Sequence, residues 1–307
     1  MSFRLRTAAV MLAIVATASP AAAQIGGAYS GLFFGNAVVS TSDVEGRMAV
    51  QGNLTASDYS FGLLYASLQS ATPTVLVGGN VSINKGTVYG DVVYGGTAAL
   101  TQVGISGTAQ TGAPQSFFAS ALTQQQALSA SFSTMASSGA GGMISFANGA
   151  LTVTAASAGT FVFNVQASSF PMIGNIVIDA PTTATVIINV RGTSASITNK
   201  GFTLSGGITA STILFNFVEA TSLTVSGIGF SGSVLAPTAV FSFNNGHING
   251  DVVAASVSGS GQFNLSTYNG FRPMTPPPVM VTPEPATLVL LAAGLGALGL
   301  VARRRRA

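Results

Sequence analysis

Gly86-Thr87-Val88-Tyr89-Gly90-Asp91-Val92-Val93 returns later in the chain as Gly246-His247-Ile248-Asn249-Gly250-Asp251-Val252-Val253. An Asn-containing segment precedes each copy: Asn80-Val81-Ser82-Ile83-Asn84 before the first, Val240-Phe241-Ser242-Phe243-Asn244-Asn245 before the second. The unit reads as strand, Gly or Asn corner, short apolar strand, Gly-Asp corner, strand. Glycine takes positive φ without steric cost, so alternating inward residues with glycine at the bends describe one coil of a β-solenoid.

The surrounding chain fits that reading. Thr74-Val75-Leu76-Val77, Asn175-Ile176-Val177-Ile178, Thr185-Val186-Ile187-Ile188-Asn189-Val190, Thr212-Ile213-Leu214-Phe215-Asn216-Phe217 and Ser222-Leu223-Thr224-Val225 are short β-branched runs bounded by turn formers. They recur at intervals closer to about 10 residues than to the roughly 30 of a β-α-β unit, which makes the body all-β. One segment departs from the pattern. In Pro114–Met135 the residues Phe117, Phe118, Ala121, Leu122, Gln125, Leu128, Phe132 and Met135 fall at helical spacing. A helix over about 114–136 is expected, with Pro114 in its first turn and Ser137-Ser138-Gly139 as its stop. Its stripe needs a partner surface, and one flank of the solenoid supplies it.

The net charge of +3 belongs to the chain ends: Arg4, Arg6 and Arg303 to Arg306. Between Gln24 and Thr282 five basic residues face seven acidic ones, leaving −2. No basic patch remains, which argues against nucleic acid as a partner. Charged residues are 6% of the chain, against roughly 25% in ordinary soluble domains. The polar surface is therefore made of hydroxyls and amides. Cysteine is absent, so the body must fold without disulfides.

Both ends read as addresses. Arg4 and Arg6, the apolar stretch Ala8 to Ala16 and the small-residue site Ala21-Ala22-Ala23 form a leader (1–23). This is a secretory signal helix with cleavage expected between Ala23 and Gln24, making signal peptidase a processing partner. At the other end Pro283-Glu284-Pro285 precedes the uncharged run 286–302, then Arg303, Arg304, Arg305 and Arg306. As a helix that run reaches about 25 Å, the short end of what spans a bilayer, with the arginines on the cytoplasmic side. These 25 residues (283–307) resemble the PEP-CTERM sorting signal of Gram-negative bacteria. The resemblance implies cleavage by an exosortase near Pro283-Glu284-Pro285, after transient anchoring in the inner membrane. Export would be to the outer envelope, the cell surface or an extracellular polysaccharide matrix. A plain membrane anchor is the alternative. The proline-rich spacer 273–282 should be extended and semi-rigid.

The body, residues 24–272, resembles the choice-of-anchor A family of bacterial surface proteins. The resemblance rests on Ser42-Asp43-Val44-Glu45-Gly46-Arg47-Met48-Ala49-Val50-Gln51-Gly52-Asn53, on Val186-Ile187-Ile188-Asn189-Val190, and on Gly232-Ser233-Val234-Leu235-Ala236-Pro237 running into Asn244-Asn245-Gly246-His247-Ile248-Asn249-Gly250. The last motif is also similar to the final coils of bacterial ice-binding proteins. That likeness implies a right-handed β-helix with a helix along one side; it does not carry an activity.

Catalytic chemistry finds little purchase. The single histidine, His247, sits in an Asn-Gly corner without an acidic sequence neighbour, and a transition-metal site of the usual type lacks ligands. Asp43 and Glu45 could serve a polysaccharide-cleaving enzyme, but Arg47 shares their strand face and ion pairing is the simpler reading. Asp91 and Asp251 could bind calcium; local turn formation is simpler. Phe161, Phe163, Phe215, Phe217, Phe241 and Phe243 form i, i+2 pairs expected to stack inside the solenoid. A regular threonine ladder would suit ice binding; Thr152 with Thr154 and Thr183 with Thr185 are short i, i+2 pairs, but no Thr-x-Thr motif repeats at a fixed interval. The expectation is an exported, non-enzymatic surface or matrix protein, adhesive or structural, needing no cofactor and meeting extracellular glycans or other surface proteins. A secreted polysaccharide-active enzyme and an ice-binding protein are the alternatives.

Overall fold

The computed structural model describes residues 24–65, 72–112, 114–139 and 141–273. The leader 1–23, the spacer from Met274 onward and the whole sorting signal 283–307, with its expected span 286–302, lie outside the described residues. Among the described residues no helix is long and apolar enough to cross a membrane.

The body is built as two stacks of coils. The first holds β1 (Gly31–Phe33), β2 (Ala37–Val44), β3 (Met48–Val50), β4 (Leu54–Phe61), β5 (Val75–Val77), β6 (Val81–Val88), β7 (Val92–Tyr94), β8 (Ala98–Ile105) and β9 (Ala109–Thr111). Short and long strands alternate, and each pairs in parallel with its counterpart one coil away. The long strands bend midway at a non-glycine residue of positive φ: Thr41, Asp58, Lys85 and Gln102. Such a conformation costs about 1–3 kcal/mol per residue, and the ladders on either side hold it.

A helix follows, α1 (Gln115–Ser133), and then the second stack. That stack holds β10 (Gly142–Ala147), β11 (Ala150–Ala155), β12 (Gly159–Gln166), β13 (Asn175–Asp179), β14 (Ala184–Arg191), β15 (Ser194–Thr198) and β16 (Gly201–Ser205). It continues with β17 (Ile213–Phe217), β18 (Ser222–Ser226), β19 (Gly229–Ser231), β20 (Ser233–Asn244), β21 (His247–Asn249), β22 (Val252–Gly259) and β23 (Gln262–Asn264). β10 lies antiparallel on β11 and closes that tip as a hairpin.

The two stacks join at their middle. β22 pairs in parallel with both β20 and β1, and β2 pairs with β22 and β23. The chain therefore starts at the waist of the solenoid and builds outward to β9. It then crosses through α1 to the other tip and builds back until its last coil meets its first. Carboxylates reinforce the seam. Gln262 Nε2 donates to Asp43 Oδ1 at 3.1 Å and the Leu265 N–H to Glu45 Oε2 at 2.7 Å.

The opening echo is real in three dimensions. Val92 and Val252 occupy the same ladder position through Val75, Met48 and Gly31, as do Val88 and Ile248 through Phe61, Val44 and Phe263. The corners also carry a ladder that the sequence reading did not find. Asn36, Asn53 and Asn80 each accept, on Oδ1, the backbone N–H of Asn53, Asn80 and Thr97 at 2.8–2.9 Å, across separations of 17, 27 and 17 residues. Gly52 and Gly79 precede two of these asparagines. A Cβ on Gly79 would lie 2.8 Å from the Gly52 carbonyl oxygen, so the corner packs only as Gly-Asn.

The interior is apolar. The six i, i+2 phenylalanines point inward as expected, none more than 7% exposed. Phe215 packs its ring on Phe202 and Phe230. A second cluster lies outside the tube, where α1 packs with the middle residues of the short strands β1, β3 and β5 (Leu32, Ala49 and Leu76) and with Leu235 and Val253 near the starts of β20 and β22. Nineteen residues give the helix about 28 Å, or some six rungs of a sheet. α1 is shorter than expected. It ends at Thr134, before Ser137-Ser138-Gly139, and its buried face is Phe118, Ala121, Gln125, Leu128, Ser129 and Phe132, while Phe117 stays 37% exposed.

What stops the helix is a polar platform. Asn164, Asn189 and Asn216 form one outward row on β12, β14 and β17. Asn189 Nδ2 donates to the Phe132 carbonyl at 3.0 Å, and Asn216 Nδ2 to the Ser129 carbonyl and to Asn189 Oδ1, both at 2.9 Å. The Ser129 hydroxyl donates to Asn216 Oδ1 at 2.7 Å. Arg191 donates to the Ser133 carbonyl at 3.0 Å while paired with Glu219 at 3.1 Å. A cation on a final carbonyl suits the negative end of the helix dipole.

Candidate functional site

On the side that follows the helix-covered one, the first halves of the long strands in one stack run into β22, β20, β18 and β15 of the other. Their outward residues fall in register as one continuous row: Ser196, Thr224, Ser242, Ser258, Val38, Thr55, Ser82 and Ala99. Seven strand spacings make it about 34 Å long. A parallel row carries Ser194, Ser222, Val240 and Ser256. None of these side chains is charged. Val38 and Val240 stand 53% and 59% exposed among the hydroxyls. Alternation places these residues outward by default: strand period two sends Ala37, Val39, Leu54 and Ala56 into the core and leaves Val38 and Thr55 for solvent. The row is visible in the sequence only once the coil register is known.

Asp43 and Glu45 lie beyond the bend of β2 at Thr41. Asp43 gives its carboxylate to Gln262, and burial pushes its pKa up, against the Gln262 hydrogen bond and with help from Glu45. Glu45 is spent on the Leu265 N–H. His247 is an exposed corner residue whose imidazole lies over Gly229. Asp58 and Lys85, both more than half exposed, pair at 3.8 Å across the stacked bends. The Thr183–Thr185 pair is structural, since buried Thr185 accepts the Phe271 N–H at 3.2 Å.

The two Gly-Asp corners behave as interstrand clips, not as local turns. Asp91 Oδ1 accepts the Thr108 N–H and hydroxyl at 2.7 and 2.9 Å, and Asp251 Oδ2 accepts the Tyr268 N–H at 2.9 Å, each from 17 residues further on. Among the described residues no group of three or more His, Cys, Asp or Glu side chains could hold a metal.

Cavities among the described residues include two of different character. A cleft of about 490 Å³ lies beside the β10–β11 hairpin, with Asp179 the one carboxylate among its lining residues. Glycosidase chemistry needs two carboxylates about 5–10 Å apart. The other, of about 140 Å³ and polar, sits at the waist between Gln24, Tyr29, Arg47 and Asp251. Burial lifts Asp251 to a pKa of about 7 in spite of the Tyr268 N–H and the field of Arg272. Burial likewise lifts Tyr29 to about 12, against the opposing field of Arg47.

The described body is thus a parallel β-solenoid with a flanking helix and a long uncharged row rich in hydroxyls. The chain belongs to the family of ice-binding-like adhesive domains, matched over residues 22–265. Residues 281–306 match the PEP-CTERM protein-sorting motif, which marks an exported cell-surface protein processed by an exosortase. Similar solved structures include the ice-binding protein of the Antarctic ascomycete Antarctomyces psychrotrophicus, at 12% identity and TM-score 0.40, covering 79% of this chain and 96% of that one. A glycosylated ice-binding protein from an Arctic yeast is 17% identical at TM-score 0.37, covering 84% and 98%. A domain of a Shewanella frigidimarina ice-binding protein is 13% identical at TM-score 0.31, covering 81% and 99%. No curated protein matches the chain.

Proposed function

We propose that the protein is a non-catalytic adhesin of the cell surface or exopolysaccharide matrix, whose uncharged row from Ser196 to Ala99 is the contact face. The observation that carries this reading is the continuity of that row across the seam between the two stacks. Hydroxyls at sheet spacing with interleaved valines offer many weak contacts to an extended glycan, and many weak contacts on one rigid body add up to retention. The resemblance to the choice-of-anchor A family supports the same reading, since that family pairs one exported domain with interchangeable anchors. Export would follow leader removal at Ala23–Gln24, a transient stay in the inner membrane through 286–302, and exosortase cleavage at Pro283-Glu284-Pro285.

The test is retention of the exported protein on whole cells and on extracted exopolysaccharide. Thr55→Lys, third from the Ala99 end of the row, should cut retention at least tenfold with an unchanged melting temperature; equal retention of the variant would sink the face. Replacing Glu284 should leave an uncleaved, membrane-retained form, and normal release of that variant would contradict exosortase processing.

The family description supports ice as a second ligand for the same face. Valine and alanine interrupt its hydroxyls, which favours the glycan. Thermal hysteresis in the purified protein, with no retention on polysaccharide, would reverse that order.

A further inference from the structure

Asp251 is 2% exposed and faces the polar pocket at the waist. A buried carboxylate is tolerated when a cation or several donors meet it. Here the Tyr268 N–H donates at 2.9 Å and Arg272 acts from a distance, while Arg47, Tyr29 and Gln24 line the same pocket. Gln24 is held in place by its own carbonyl, which accepts Gln125 Nε2 of α1 at 2.8 Å and the Gly27 N–H at 3.2 Å. With the carbonyl committed to helix and turn, what Gln24 has left for the pocket is its α-nitrogen and its side chain. In the precursor that nitrogen is a neutral peptide N–H. After leader removal it is an ammonium with three donors and an ordinary pKa of about 7.7–8.0.

We propose that leader cleavage creates an internal ion pair: the new α-ammonium of Gln24 seats in the waist pocket against the Asp251 carboxylate. The inference rests on cleavage between Ala23 and Gln24 and is independent of what the outer face binds. It makes the pocket an N-terminus receptor that is complete only in the exported form. It also ties export to the seam, because Asp251 sits where β22 begins and β22 pairs with β1.

The pH dependence gives the test its sign. An unpaired Asp251, with its folded pKa raised toward 7, contributes stability that is fully present below about pH 4 and is lost as pH rises through 7. Pairing with the ammonium removes that loss, and stability falls instead above about pH 8, as the ammonium deprotonates. Full-length exported protein, its first residue fixed by intact mass, is melted across this range beside Asp251→Asn and a form with Ala-Ala inserted between Ala23 and Gln24. The native form should hold its melting temperature through neutral pH and lose it above about pH 8. The Ala-Ala form should lose it between about pH 4 and 7, and Asp251→Asn should show neither transition. Superimposable curves for the native and extended forms overturn the ion pair, as does a mass short by one ammonia, which marks a cyclised, uncharged Gln24. A first residue other than Gln24 overturns the cleavage reading itself.

Discussion

The two stacks keep their strands in register by different means. In the first, the coils are small and their corners carry an exposed ladder of carboxamides, Asn36 to Asn53 to Asn80, ending at Thr97. In the second, the coils are wider, phenylalanines fill them, and the asparagines sit buried under a helix, where Asn189 and Asn216 are both 0% exposed. The same side chain thus does the same job at a corner and beneath a helix, but the stakes differ. Water can replace a lost hydrogen bond at a corner; under α1 it cannot.

That contrast can be broken most sharply inside the second stack. Phe215→Ala removes a fully buried ring from its cluster with Phe202 and Phe230 and should cost about 4 kcal/mol in chemical denaturation. Asn216→Ala comes next. It strands the Ser129 hydroxyl and Asn189 Oδ1 beneath the helix, at about 3 kcal/mol. The smallest effect belongs to the first stack, where Asn53→Ala frees the Asn80 N–H at an exposed corner, at about 1 kcal/mol. If Asn53→Ala matched Asn216→Ala, the two ladders would be equivalent and the role of burial would fall away. A smaller loss for Asn216→Ala in a variant lacking the Ser129 hydroxyl would show how far the network acts as a unit.

Much of the second stack was legible from its residues. The i, i+2 phenylalanines pointed inward as strand alternation requires, and the Pro114–Met135 stripe produced the helix. The repeat around Gly86 and Gly246 marked equivalent corners although it left the coil order open. That order depends on pairings more than 200 residues apart, such as Gly31 with Val252, which local pattern cannot encode. The corner ladder did leave a trace, Gly-Asn at 35–36, 52–53 and 79–80. An excursion after β4 stretches its middle interval and hides the repeat. The buried asparagines also had a signature, three apolar residues followed by Asn at 161–164, 186–189 and 213–216, which reads as strand-end polarity until a helix is laid on top. Asp43 and Glu45 were expected to form an ion pair with Arg47; the contacts they make with Gln262 and Leu265 come from the far end of the chain, where local pattern could not find them.

Because the backbone enters at the waist and leaves along the second stack, where the Phe271 N–H meets Thr185 of β14, the β9 tip is topologically free. Rungs could be gained or lost at β9 without displacing the site of leader removal or the departure point of the tail. Reach thus becomes a quantity that evolution, or a designer, could alter independently of processing.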